Sequence, residues 1–184
     1  MTFKHSRQRI IIFDGPDGNG KTEMAKELSN SLNIPYFKNE LEWSAFGNSP
    51  KNELFVNLLK FADPYFLSYL KQSGASVILD RAYPSEWVYS KEFCRTSNIS
   101  ALNASDKAYA ELGALIIVPW RTKYDCGDKH NPVIDASRRS SLDALYNSFC
   151  SWTKCKTLRL NVDDENLDRE MIEIMNFMNK LGCL

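Results

Sequence analysis

A chain of 184 residues and 21.1 kDa has room for one domain built around one core. Hydrophobic residues make up 43% and charged residues 25%, ordinary globular proportions that exclude a disordered, collagen-like or coiled-coil chain. Lys plus Arg (23) balances Asp plus Glu (23), so there is no positive surplus to neutralise a phosphate backbone, and a nucleic-acid partner is disfavoured.

Ile10 to Phe13 is an apolar run cut short by Gly15, Pro16, Gly18 and Gly20, which gives it the length and flanks of a buried strand. From Lys21 to Leu32, the residues Met24, Ala25, Leu28 and Leu32 recur at helical spacing and predict a helix with one apolar face. Ile34 to Phe37 predicts a second strand. Pro50 to Leu70 again carries helical spacing, and Pro64 predicts a break after Asp63 into two pieces. Ser76 to Leu79 predicts a third strand that runs into Asp80 and Arg81, and Pro84 opens a helix reaching about Cys94. A helix from about Ala104 to Leu112 leads to a strand over Ala114 to Val118. Pro119 to Pro132 is polar and turn-rich with no apolar period, which predicts a mobile loop. Asp135 or Ser137 caps a helix running through Trp152, Thr157 to Val162 predicts a fifth strand, and Leu167, Met171, Ile174, Met175, Met178 and Leu181 stripe a closing helix. Strands alternating with helices imply a parallel sheet covered on both faces and joined by right-handed crossovers.

Apolar runs such as Ala114 to Val118 fall far short of the ~20 residues needed to cross a bilayer, and the polar start has no secretory core behind it. The five cysteines form no Cys-x-x-Cys pair, which suits reduced thiols. These features predict a soluble, unexported, cytoplasmic protein with no membrane partner.

Gly15-Pro16-Asp17-Gly18-Asn19-Gly20-Lys21-Thr22 matches G-x-x-x-x-G-K-[ST] and lies between the first strand and the first helix, the context that motif needs. Small residues let backbone N–H groups curl around phosphate oxygens, the helix points its positive end at them, and Lys21 adds a full charge. Thr22 can place its hydroxyl on a magnesium ion, so ATP with Mg²⁺ is the expected ligand. Asp80, delivered by the third strand to the carboxyl edge of the sheet, is the expected second anchor for the metal. Arg81 beside it offers a fork of donors suited to a phosphate.

The motifs also resemble a family. Phe13-Asp14-Gly15-Pro16-Asp17-Gly18-Asn19-Gly20-Lys21-Thr22 is similar to the F-E-G-x-D/E-G-x-G-K-T/S loop of thymidylate kinases. Leu58-Leu59-Lys60-Phe61-Ala62-Asp63 is similar to their L-L-F-A-A-D-R helix, and the run from Asp80-Arg81 through Tyr89-Ser90 to their D-R-Y-x-x-S-x-x-A-Y-Q segment. The resemblance implies the three-layer P-loop kinase fold, with a five-stranded parallel sheet in the order 2-3-1-4-5, helices on both faces and a mobile lid. It also implies transfer of a phosphoryl group from ATP to a (deoxy)nucleoside monophosphate, with dTMP or another pyrimidine deoxynucleotide foremost. By the same resemblance Asp17 contacts the deoxyribose hydroxyl, Arg81 holds the acceptor phosphate, Phe61 stacks on the base, and Tyr83, Ser85 and Tyr89 line the acceptor pocket. Phe61 and Tyr89 also read as core aromatics. The partner would be a small nucleotide, and relatives are commonly homodimers.

The sequence departs from the family pattern in four respects. Pro64 replaces the arginine that reads the pyrimidine edge, and Ser90 replaces a glutamine. Lys38-Asn39-Glu40-Leu41 stands for T-R-E-P, with Lys38 the substitute phosphate cation, and Gly18 and Asn19 bring no charge to the loop. The lid, Pro119 to Pro132, must then supply a cation over the moving phosphoryl group. Arg121 is the first candidate, followed by Lys123 and Lys129, with Arg138 or Arg139 behind them. Catalysis is thus expected from Lys21, Arg81 and Arg121. The rival readings are a deoxynucleoside kinase with Glu40 (or Glu42) as base, a kinase acting on DNA bases, and an ATP-driven switch.

Overall fold

Five parallel strands carry the molecule: β1 (Ile10–Phe13), β2 (Tyr36–Lys38), β3 (Val77–Asp80), β4 (Leu115–Trp120) and β5 (Lys156–Asn161), side by side in the order β2-β3-β1-β4-β5. The computed structural model describes residues 8–38, 63–123 and 135–184. Six helices stand among them: α1 (Lys21–Leu32), α2 (Asp63–Ser73), α3 (Tyr83–Glu92), α4 (Ile99–Glu111), α5 (Ala136–Trp152) and α6 (Leu167–Lys180). This is the doubly covered sheet that the alternation of strands and helices predicts, in the strand order that the resemblance implies.

The apolar run of β1 is continuous rather than alternating because both of its faces are covered. Ile10 and Ile12 join Leu79, Ile116 and Val118 in a core closed by residues of α2, α3, α4 and α5, among them Leu70, Trp87, Tyr109 and Phe149. Ile11 and Phe13 point the other way, into a core with Met24 and Leu28 of α1 and Ile174 and Met178 of α6. Register sets the functional rim: β4, whose Ile117 pairs with Phe13, runs on to Trp120, while β1 and β3 end level because Phe13 pairs with Asp80. The residues that follow them, Asp14 and Arg81 above all, are thereby brought together.

Element boundaries differ from expectation where backbone groups had a better use. Asn33 takes a left-handed conformation and the N–H of Ile34 bonds the Ser29 carbonyl at 3.1 Å, so the first part of the expected second strand is spent on ending α1. Pro64 keeps to expectation: it falls in the first turn of α2, where a missing N–H is harmless, and the helical piece expected before Asp63 lies outside the described residues. Asn98 caps α4 by accepting from the Ala101 N–H, which starts that helix well before Ala104. Pro119 lies inside β4 opposite Leu160, so the turn-rich segment begins after Trp120 and not at Pro119. Asp135, not Ser137, caps α5. The expected lid from residue 124 onward, including Lys129, and the expected roles of Phe61, Glu40 and Glu42 lie outside the described residues. No helix among the described residues is long and apolar enough to cross a membrane.

Phe149 of α5 is fully buried, with its ring 5.8 Å from Tyr83 and 5.5 Å from Trp87. Phe149→Ala should cost about 3–5 kcal/mol of unfolding free energy, measured by urea denaturation, because the surrounding rings cannot close the cavity.

Candidate active site

The turn between β1 and α1 is shaped by glycines in left-handed conformations. Gly20, with φ 67°, precedes α1, and no side chain caps the helix, so its N-terminal N–H groups are directed at the space a phosphate would fill. Gly18, with φ 79°, takes a backbone conformation that other residues rarely adopt, and a Cβ there would displace the end of the Arg139 side chain.

Lys21 is 5% exposed and folds back over this turn, donating from Nζ to the Pro16 carbonyl at 2.7 Å and to Asp17 Oδ1 at 3.3 Å. The same Asp17 oxygen accepts a short hydrogen bond from Arg81 Nη2. One carboxylate therefore holds the two cations that would face the phosphates. Burial and the nearby charge of Arg81 bring Lys21 down to about 8, against the pull of Asp17, Asp14 and Asp80. Burial alone would raise Asp17, but Lys21 and Arg81 outweigh it and hold that carboxyl at about 2.

On the β3 side, Asp80 Oδ2 accepts from the Thr22 hydroxyl at 2.6 Å and from the Tyr36 hydroxyl at 3.0 Å. Lys38, the last residue of β2, is in register with Asp80 and exposed. Arg81 follows with φ 69°, a left-handed conformation that costs a bulky residue about 1–2 kcal/mol. Its N–H continues the sheet by bonding the Phe13 carbonyl at 2.8 Å, and the kink sends its side chain back across the rim. There Arg81 Nη1 donates to Ser85 Oγ at 3.0 Å, and the guanidinium lies over the Tyr89 ring, 5.6 Å from its centroid. Burial, partly offset by Arg81, pushes the Tyr89 hydroxyl up to about 12.

Further cations reach the P-loop from the β4 side. Arg121 Nη2 lies 3.4 Å from the Gly18 carbonyl and pairs with Glu165 at 2.9 Å. Arg139, 7% exposed on α5, donates a short bond to the Asp17 carbonyl. Arg138 turns away to Glu92 at 3.2 Å and to the Phe93 ring, and Lys123 is exposed. Asn19 ties the loop to the Pro119 carbonyl at 3.0 Å.

The structure thus gathers Gly15, Pro16, Asp17, Gly18, Asn19, Gly20, Lys21, Thr22, Asp80, Arg81, Ser85, Tyr89 and Arg121 at one rim. Tyr83 is the exception. Its hydroxyl donates to Asp106 Oδ1 at 2.8 Å, its ring stacks on Tyr109 at 5.3 Å, and it is 6% exposed within the α3–α5 core. Helical periodicity explains the split, because Ser85 and Tyr89 share one face of α3 while Tyr83 and Trp87 share the other. Three residues that sequence reasoning passed over or left in the background belong to the site. Arg139 touches the loop directly. Asp14 and Tyr146, joined at 2.7 Å, lie fully buried beneath it. Asp14 carried a readable signal: like Asp80, it is a charged residue closing an apolar strand at the carboxyl edge of the sheet.

Two outcomes test this geometry. Tyr83→Phe should lower stability by about 1–2 kcal/mol, read by denaturant melting, because Asp106 loses one of its donors, and should leave the affinity for any rim ligand within twofold. Phosphate oxygens brought against Lys21 raise it from about 8 toward its ordinary value, so at pH 9 ATP binding should take up a proton. Calorimetry in buffers of different ionisation enthalpy reads that uptake, and Lys21→Gln should abolish it.

No protein-family model and no curated protein matches the sequence. Solved structures do match across nearly the whole chain. YorR from Bacillus subtilis, determined in complex with phosphorylated GDP, is 19% identical over 94% of this chain and 96% of its own, with a TM-score of 0.64. Thymidylate kinase from Candida albicans is 14% identical over 96% and 93%, with a TM-score of 0.59. Deoxyadenosine kinase from M. mycoides is 20% identical over 93% and 99%, with a TM-score of 0.52. The chain has the α/β fold, with its 2-3-1-4-5 parallel sheet, that these P-loop kinases share.

Proposed function

We propose that this protein transfers the γ-phosphoryl group of ATP to a (deoxy)nucleoside monophosphate, dTMP or another pyrimidine deoxynucleotide first among them, yielding a diphosphate for deoxynucleotide synthesis. The observation that carries the reading is the convergence, on one carboxylate, of the P-loop cation Lys21 and the rim cation Arg81. Two groups of positive charge facing each other across a single rim suit two polyanions placed end to end.

In this reading the P-loop N–H groups and Lys21 hold the donor phosphates. Arg81, steadied by Ser85 and Tyr89, holds the acceptor phosphate, and Lys38 adds charge at the end of β2. Asp17, once released by the two cations, takes the sugar hydroxyl, and Phe61 is assigned to the base. Arg121 and Arg139 supply charge over the transferred group, where an arginine typically adds about 10³–10⁵ in rate. The acceptor is already an anion, so positioning and neutralisation suffice and no general base is required.

Thr22 and Asp80 would hold Mg²⁺: a hydroxyl and a carboxylate at 2.6 Å offer the hard oxygen donors that ion takes, alongside phosphate oxygens and water. When bound, the ion neutralises charge on the phosphates. Thr22 and Asp80 orient its donors, and the Tyr36 hydroxyl steadies the carboxylate.

A deoxyadenosine kinase shares this fold, so the test includes both acceptor classes. All common nucleoside monophosphates and nucleosides are screened with ATP and Mg²⁺ for ADP and for the phosphorylated acceptor. Turnover of a monophosphate is the expected result, with Arg81→Ala lowering kcat/KM by about 10²–10³ and Glu40→Gln leaving it within threefold. Turnover of nucleosides that collapses on Glu40→Gln would establish the rival kinase. ADP formed with no phosphorylated product would indicate a switch.

A further inference from the structure

Asp14 is fully buried, and five donors converge on it. Oδ1 accepts from the Gly15 N–H at 3.0 Å, the Ser85 hydroxyl at 2.7 Å and the Tyr146 hydroxyl at 2.7 Å. Oδ2 accepts from the N–H groups of Ala82 and Ser85, each at 3.1 Å. Ala82 precedes α3 and caps it with no side chain of its own, so a carboxylate from the central strand takes the place of the missing N-cap. The donors come from three places: the P-loop, the segment leading from Arg81 into the first turn of α3, and α5.

The direction of each hydrogen follows from this arrangement. Ser85 gives its single hydroxyl proton to Asp14, which turns its lone pairs outward to accept from Arg81 Nη1 at 3.0 Å. Arg81 Nη1 is itself 3.8 Å from Asp14 Oδ1. The two N–H bonds to Oδ2 pin the residues immediately after Arg81 and so hold its left-handed backbone in place.

We propose that Asp14 is a positioning residue for phosphoryl transfer and that Tyr146 sets it, so that the chain Tyr146, Asp14, Ser85, Arg81 couples α5 to the guanidinium that holds the acceptor phosphate. This rests on the kinase reading above. α5 also delivers Arg139 to the P-loop carbonyl of Asp17, so one helix governs both a cation over the donor side and the aim of the cation on the acceptor side. Asp14 acts through Arg81 and Ser85 and touches no substrate in this account.

The test is steady-state kinetics on the full chain, varying ATP and the best acceptor of the screen separately. Tyr146→Phe removes one hydroxyl and leaves the ring in its core. It should lower kcat/KM for the acceptor about tenfold while the KM for ATP stays within twofold. In an Arg81→Lys background the same substitution should cost twofold or less, because the group being aimed is gone. Asp14→Asn should act in the same direction and more strongly, and should that variant fail to fold, the Tyr146→Phe cycle decides alone. Equal losses for both substrates, effects that multiply in the double variant, or a lowered Tm with unchanged acceptor kinetics would each overturn the proposal. A wild-type chain that phosphorylates no acceptor overturns the kinase reading and this proposal together; an active wild type without the split overturns this proposal alone.

Discussion

A carboxylate with no access to water must be surrounded by donors, and at the end of β1 that requirement organises the whole rim. Asp14 cannot sit where it does unless the P-loop, the start of α3 and the middle of α5 all turn a hydrogen toward it. Three segments far apart in sequence are thereby held in one relation. The parallel register of β1 with β3 does the first part of this work by ending Phe13 and Asp80 at the same level. The hydrogen bonds to Asp14 do the rest.

The second organising feature is electrostatic. Lys21 and Arg81 approach each other closely enough that the charge of Arg81 disfavours that of Lys21, and Asp17 offsets the repulsion. In the proposed reaction an internal carboxylate stands in for the phosphate oxygens of a nucleotide. Ligand entry would then be an exchange of one anion for another rather than the filling of a hole, with the cations aligned beforehand. Arg121 and Arg139, both donating to P-loop carbonyls, keep further positive charge at the same place without needing a ligand to order them.

Much of this is legible in the amino-acid sequence. The glycine pattern around Lys21, the strand-to-helix context and the acid closing β3 pointed to the rim proposed as the phosphate site, because backbone shape and charge at a strand end leave a local trace in residue type. Strand order came from the resemblance to P-loop kinases. What escaped was whatever depends on direction or on distant partners. Tyr83, Ser85 and Tyr89 look alike as members of one motif, yet a turn of helix sends Tyr83 to Asp106 and the other two to the rim. Tyr146 reads as one more aromatic in an apolar stripe, and its hydroxyl finds Asp14 only through the fold. Arg138 and Arg139 are neighbours with the same chemistry, and the helix sends one to Glu92 and the other to the loop. Boundaries slipped for a related reason: Asn33 and Asn98 each serve a helix end, a use that propensity within a window does not register.

The left-handed backbone at Arg81 has an evolutionary corollary. Glycine would relieve the twist and firm up the chain locally, but it would also delete the charge that the twist exists to present. The position is consequently locked, neither hardened by drift nor easily swapped. Robustness in descendants of this sequence has to accumulate elsewhere, on outer faces such as those of α4 and α6, where a side chain can change without turning the guanidinium aside.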